Sequence, residues 1–390
     1  MNLFIDISYD SLNKYGEELC GDKVEVVYTD DSVIIVLADG LGSGVKANIL
    51  ATLTSKIAAT MLKEGSTLDE TVDTIIQTLP VCKVRKLAYS TFTIIKVYND
   101  GKVYIVECDN PPVFFIRDNK ILDIKKIDKV INGKLIKESE FMLKKGDVLA
   151  SVSDGVIHAG VGGVLNLGWQ WENVAEYLER LSKDMKSAKN ISKGLVNACK
   201  NLYVNKPGDD TTVAAIKIRK PEIINIFTGP PKDPNKDKYV IEELMRSEGK
   251  KIVCGGTAAK IASRELNEEL ITNLEYIDKD VPPTASIKGI DLVTEGVLTL
   301  SKTVEKIKSF SDSTSDGYTV YNPTKRDAAS LLAKMLVEEC THINFWVGKA
   351  VNPAHQNPDL PIDLSIKLKV VEQLIKIMKK LGKTVNLTYV

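Results

Sequence analysis

The chain has 390 residues, of which 44% are hydrophobic and 27% charged, with 52 basic side chains set against 52 acidic ones. That is the composition of an ordinary globular protein, and it removes bulk charge as a basis for nucleic-acid binding. The length predicts two domains rather than one core, and no apolar run is long enough to cross a bilayer.

In chain order, the first half reads as short strands: KVEVVYTD, SVIIVLAD, YSTFTIIKVYN, KVYIVECD, VFFIRDN, DVLASVSD and TTVAAIKI. They alternate or are rich in β-branched residues, and turns such as YNDGK and RDNK join them. Helical periods fall at 45–62, 67–78, 172–182 and 189–202. In the first helix, Ile49, Leu53, Ile57 and Met61 form a stripe expected to face the core. DNPP, residues 109–112, predicts a rigid turn with Asn110 able to take a positive φ. Antiparallel-looking strands with grouped helices predict an α+β layered domain.

The grammar changes at IRKPEI, residues 218–223, where Pro221 breaks the strand pattern. Beyond it, strand and helix alternate: IINIFTG, DKYVIEELMRSEG, KKIVCGG, TAAKIASRELN, IDLVTEG, TLSKTVEKIKSF, INFWVG, IDLSIKLKVVEQLIKIMKKLG and KTVNLTY. This alternation predicts an α/β domain with a mostly parallel sheet. The expected domains are 1–220 and 221–390. SFSDSTSDG, 309–317, and GKAVNPAHQNPDLPIDL, 348–364, read as surface loops, the second long enough for a lid or an interface.

The six cysteines are Cys20, Cys82, Cys108, Cys199, Cys254 and Cys340, scattered without CxxC spacing. They read as reduced, mostly buried thiols of a cytoplasmic protein, and the start of the chain lacks a signal-peptide layout. With only three histidines, His158, His342 and His355, any metal would be held mainly by oxygen.

Four stretches of the first domain place aspartate beside a strand end: CGD with Asp22, ADGLGSG with Asp39, SVSDG with Asp154, and GDDTTV with Asp209 and Asp210. Each alone reads as a turn, because Asp-Gly is a favoured turn pair. Together they would crowd like charges, which repel and raise one another's pKa unless a cation intervenes. Mg²⁺ and Mn²⁺ prefer such oxygen ligands, and two ions sharing a carboxylate can activate water. Gly40 would turn a carbonyl toward the metal, while Gly42 and Gly44 permit tight entry into the following helix. ADGLGSG lacks the spacing of a nucleotide-binding GxxxxGK[ST] loop.

The ordered set CGD, ADGLGSG, SDGVIHAGVG and GDDTTVAAI resembles the metal-dependent type 2C serine/threonine phosphatases, in their bacterial stage II sporulation protein E-like branch. The resemblance covers about residues 1–218. It implies a four-layer sandwich of two antiparallel sheets flanked by helices, with two Mn²⁺ or Mg²⁺ ions at one end. Carried over, Asp39 would bridge the ions, Asp22 and the Gly40 carbonyl would complete one, Asp154 and Asp209 would hold the other, and Asp210 would stand beside them, orienting a bound water or binding an extra ion. The implied activity is hydrolysis of phosphoserine and phosphothreonine in a protein substrate, a signalling reaction needing no cysteine nucleophile. Eukaryotic members have a histidine where this chain has Leu41, and their phosphate-gripping arginine has no obvious counterpart here. His158 reads as a structural residue. GVGGVLNLGWQWENV is expected to cover the rim of the site, with Trp169 and Trp171 packing the next helix or meeting a partner.

No resemblance covers the second domain. Its loops TGPPKDP, CGGTAAK and VTEGVLT follow apolar strands and could line a small-ligand or phosphate pocket from Thr228, Gly229, Gly255, Gly256, Thr257, Asp291, Thr294 and Glu295. Turn and cap chemistry explains the same residues equally well. The expected partners are a phosphoprotein substrate, a small ligand of this domain and a second copy in a homodimer, with neither nucleic acid nor membrane. The alternatives to a protein phosphatase are a catalytically silent scaffold of the same fold and a phosphatase of a small phosphoester.

Overall fold

A computed structural model describes residues 3–78, 90–273, 275–311, 326–350 and 366–390. The chain divides into two compact units, Met1–Lys220 and Pro221–Val390. Cys82, His355 and residues 312–317 and 351–364 of the two surface loops expected above lie outside the described residues.

The first unit runs β1 (Phe4–Leu12), β2 (Asp22–Tyr28), β3 (Ser32–Gly40), α1 (Gly44–Lys63), α2 (Leu68–Thr78), β4 (Ser90–Tyr98) and β5 (Lys102–Cys108). It continues with β6 (Phe114–Arg117), β7 (Lys120–Leu122), β8 (Ile127–Ile131), β9 (Lys134–Met142) and β10 (Val148–Val152). Then follow α3 (Asp154–Ile157), α4 (Trp171–Asp184), α5 (Ala188–Leu202) and β11 (Thr211–Arg219). One sheet has the order β2-β3-β4-β5-β9-β8, the other β1-β11-β10-β6-β7, and every pairing is antiparallel.

Val33, Ile35 and Leu37 of β3 meet Ile7, Ile216 and Ile218 of the other sheet in the central core. Alternate residues of β3, Ile34 and Val36, face α1 and α2, while β10 and β11 turn Val152 and Val213 toward α4 and α5. The period of two thus feeds two cores from each central strand, and the result is the expected four-layer α+β sandwich. β1 and the β7–β9 region lay outside the strands read from sequence, because their alternation is broken by charged residues such as Asp6, Asp10 and Lys137.

The expected apolar stripe of α1 is corrected. Ile49 and Leu53 are 53% and 47% exposed. The sheet instead receives Ala47, Leu50, Ala51, Thr54, Ser55, Ala58, Ala59 and Leu62. Small side chains let the helix lie close: a Cβ at Gly40 would stand 2.0 Å from the Ala47 carbonyl oxygen. Larger residues cannot fit so near the strand. In the DNPP segment between β5 and β6, the positive φ of 53° falls on Asp109 and not on Asn110. Asn110 instead donates from Nδ2 to Thr93 Oγ1 at 2.9 Å.

The second unit comprises β12 (Ile223–Thr228), α6 (Asp237–Arg246), β13 (Lys250–Cys254), α7 (Gly256–Leu266), β14 (Ile271–Thr272), β15 (Ala285–Ser286) and β16 (Leu292–Thr294). After these come α8 (Val297–Ser311), α9 (Ala328–Lys334), β17 (His342–Val347), α10 (Ile366–Lys380) and β18 (Thr384–Tyr389). The sheet order is β14-β15-β16-β13-β12-β17-β18. The last five of these strands run parallel, and β14–β15 adds an antiparallel edge. α6 and α7 cover one face, while α8, α9 and α10 cover the other. Strand order reverses between β12 and β17, as in doubly wound sheets.

Candidate functional site

The acidic site grows out of one strand register. Asp22 opens β2 and Asp39 lies near the end of β3, and the antiparallel pairing sets them directly opposite each other. Like charges so placed destabilise a strand pair unless something compensates. From the second sheet, Asp154 opens α3 just after β10, and Asp209 and Asp210 precede β11. Asp39 feels the charges of Asp22, Asp154, Asp209 and Asp210, so the fold brings all five carboxylates to the same end of the sandwich.

Glycines make that convergence sterically feasible. Gly42 and Gly44 take φ of 107° and 67° as the chain turns into α1. A Cβ at Gly21 would stand 2.7 Å from Asp210 Oδ2, and one at Gly155 would stand 2.0 Å from the Asp210 carbonyl oxygen. Those positions admit no side chain without displacing the acidic loop.

Burial, more than mutual repulsion, raises the two facing carboxyls. Asp22 is pushed up to about 7 by desolvation, against the opposing hydrogen bond from Ser153. Asp39 is pushed up to about 9 by desolvation and then by its four acidic neighbours. Asp209 is also raised by burial and by Asp154, with Lys14 acting in the opposite direction. Ser153 Oγ donates to Asp22 Oδ2 at 2.7 Å and accepts from the Thr212 N–H at 2.9 Å.

The donor set suits a hard divalent cation. It consists of oxygens, and Asp22 Oδ1 and Asp210 Oδ2 are buried with no hydrogen-bond partner. Among the described residues, no three Asp, Glu, His or Cys side chains converge closely enough to hold an ion as they stand. Enclosing one requires carboxylate rotations at this end of the sandwich.

Two residues here escaped the sequence reading. Lys14 donates its main-chain N–H to Asp210 Oδ1 at 3.0 Å, and its ammonium stands 4.0 Å from Asp209 Oδ1. Its loop carries no motif that could have marked it. Ser153 was visible in SVSDG, but its partner Asp22 lies 131 residues away. His158 is exposed and follows the short helix α3, its N–H bonded to the Asp154 carbonyl. Trp169 packs edge-on against Tyr177 of α4 at 5.2 Å, and Trp171 stacks on Phe114 at 4.6 Å.

In the second unit, Thr228, Cys254 and Thr294 are aligned by strand register. Thr228, Gly229, Gly255, Gly256, Thr257, Thr294 and Glu295 therefore gather at the carboxyl edge of the sheet. Asp291 does not join them: it precedes β16 at the opposite edge, where its carboxylate accepts the Lys251 N–H at 2.8 Å. Gly255 takes φ of 115° as the N-cap just before α7, and Glu295 Oε2 accepts the Leu298 N–H at the start of α8. Lys367, unmarked by any motif, donates from Nζ to the Gly348 carbonyl at 2.5 Å, and burial lowers its pKa.

Paired antiparallel sheets with helices outside and carboxylates at one end define the architecture of the type 2C phosphatases. Residues 29–219, most of the first unit, match the family model described as Stage II sporulation protein E (SpoIIE). Among solved structures, the phosphatase domain with a regulatory-domain fragment of SpoIIE from Bacillus subtilis is 20% identical, with a TM-score of 0.46. That match covers 55% of this chain and 63% of that one, so the chain spans less than two thirds of the fragment. The RsbU and RsbW domains of Rv1364c from Mycobacterium tuberculosis are 17% identical over 62% of this chain and 67% of that one, with a TM-score of 0.47. No curated protein matches the chain.

Proposed function

We propose that the first unit is a metal-dependent phosphatase acting on phosphoserine and phosphothreonine in a protein substrate, and that the second unit regulates it. The observation that carries the reading is the pair of buried, unpartnered oxygens, Asp22 Oδ1 and Asp210 Oδ2, within a cluster of five carboxylates. Asp22, Asp39, the Gly40 carbonyl, Asp154 and Asp209 would hold two Mn²⁺ or Mg²⁺ ions, with Asp210 beside them. When bound, the ions would supply a nucleophile from water at neutral pH and neutralise charge on the phosphate oxygens.

The remaining work falls to the chain's own residues. Ser153 holds Asp22 in one orientation through its hydroxyl. Lys14 places a cation beside Asp209, where it can attract a phosphate dianion toward an otherwise acidic end. Leu41 offers no proton, so the leaving alkoxide draws its proton from solvent. In the second unit, the carboxyl-edge loops would take a small anionic ligand whose binding tunes the first.

The metal-stripped chain, resupplied with Mn²⁺, should release phosphate from phosphoserine and phosphothreonine peptides. Asp39→Asn should lower kcat by at least about a hundredfold, since changes one shell further from a metal already cost about 10–100-fold. Unchanged turnover in this variant would sink the metal-site assignment. Turnover of small phosphoesters alone would favour the small-substrate reading, and none at all the scaffold.

A further inference from the structure

The outer edge of β18 carries a pattern that matches itself. Thr384–Val385–Asn386–Leu387–Thr388 reads nearly the same in both directions, with Asn386 at its centre. Among the described residues the strand ends the sheet, it carries neither charge nor proline, and Leu387 and Tyr389 are 38% and 44% exposed. Natural edge strands are ordinarily guarded by lysine, proline or a bulge.

Asn386 also ends a ladder of amides. Its Nδ2 donates to Asn344 Oδ1 at 3.0 Å, and Asn344 Nδ2 donates to Asn225 Oδ1 at 2.8 Å. Asn225 Nδ2 in turn donates to the Glu248 carbonyl at 2.8 Å. Every donation runs inward, so among the described residues nothing donates to Asn386 Oδ1.

The backbone fixes which groups face outward. The N–H groups of Thr384 and Val390 bond inward to Thr341 and Val347 at 3.0 Å each. By alternation, Val385 and Leu387 turn their N–H and C=O groups away from the sheet.

We propose that a second copy of this chain pairs antiparallel with β18 about a two-fold axis at Asn386, joining the two sheets into one. Val385 then exchanges main-chain hydrogen bonds with Leu387 of the copy, and Leu387 with its Val385. Asn386 meets its own copy as a non-hydrogen-bonded pair, where side chains are closest. The two amides complete each other's ladder. Thr384 lies opposite Thr388 on the same face, and Val385 opposite Leu387 on the other. Apolar and threonine pairs of this kind stabilise antiparallel strands, and no like charges oppose one another.

The test is sedimentation velocity on the full chain, with cysteine crosslinking to read the register. The wild type should sediment as a dimer. Leu387→Pro removes only an outward N–H, so it should give a monomer with an unchanged circular dichroism spectrum. Under mild oxidation Asn386→Cys should form a covalent dimer well above the wild-type background, because the paired Cα atoms stand about 4.5 Å apart, within disulfide range. Thr384→Cys, opposite Thr388 rather than itself, should not. A monomeric wild type overturns the proposal. So does a dimer that survives Leu387→Pro, or one in which Thr384→Cys crosslinks as readily as Asn386→Cys.

Discussion

Asp22 and Asp39 face each other across one strand pair, and their raised pKa values have a signed consequence for stability. A carboxyl whose folded pKa lies above its unfolded value favours the fold while protonated. That contribution is complete below the ordinary carboxylate range and is lost as pH rises through about 7 for Asp22 and about 9 for Asp39. The metal-free chain should therefore show a falling melting temperature across this window. Asp39→Asn should flatten the fall and melt higher than the wild type at alkaline pH, a comparison readable by calorimetry. Mn²⁺ should restore the wild type most where the carboxylates are ionised. Gly40→Ala tests the close approach behind the site. Its new Cβ would lie 2.0 Å from the Ala47 carbonyl oxygen, so α1 must shift. The expected cost is about 1–3 kcal/mol by urea denaturation, with a fall in kcat as Asp39 moves.

Helix α1 shows what an element's own sequence leaves undecided. Its bulky residues repeat at helical spacing, and so do its small ones, so either stripe could have been buried. The neighbouring strand decides, because Gly40 brings its backbone against the helix at Ala47 and leaves no room there for a larger side chain. Leu50 is buried against the sheet while Leu53, three residues on, faces outward. Leu50→Ala should accordingly cost about 2–5 kcal/mol. Leu53→Ala should stay within about 0.5 kcal/mol. Urea midpoints of the two variants check the assignment directly, and equal losses would restore the stripe read from sequence.

Along the chain, the boundary between the two compact units falls between Lys220 and Pro221. Each has its own cores: the sandwich clusters hold residues of the first unit, and the parallel-sheet clusters hold residues of the second. A fragment of residues 1–220 should therefore melt cooperatively by itself and keep Mn²⁺-dependent hydrolysis of a small phosphomonoester. An aggregated fragment would show instead that the first unit depends on the second for folding. No helix among the described residues is long and apolar enough to cross a membrane.

By itself the sequence determined the features that depend on near neighbours: the alternating strands, the Asp-Gly turns, the change of grammar near Pro221 and the ordered acidic motifs. Those motifs were enough to point to the family before any contact was known. Tertiary structure alone decided that Asp22 opposes Asp39, that Ser153 reaches Asp22, that Lys14 stands beside Asp209, and that Asp291 lies on the far edge of its sheet. It also decided which face of α1 is buried and that Asn225, Asn344 and Asn386 line up across three strands. Each of these is set by the register or close approach of segments distant in sequence. A residue's own neighbours carry no record of which strand will lie beside it.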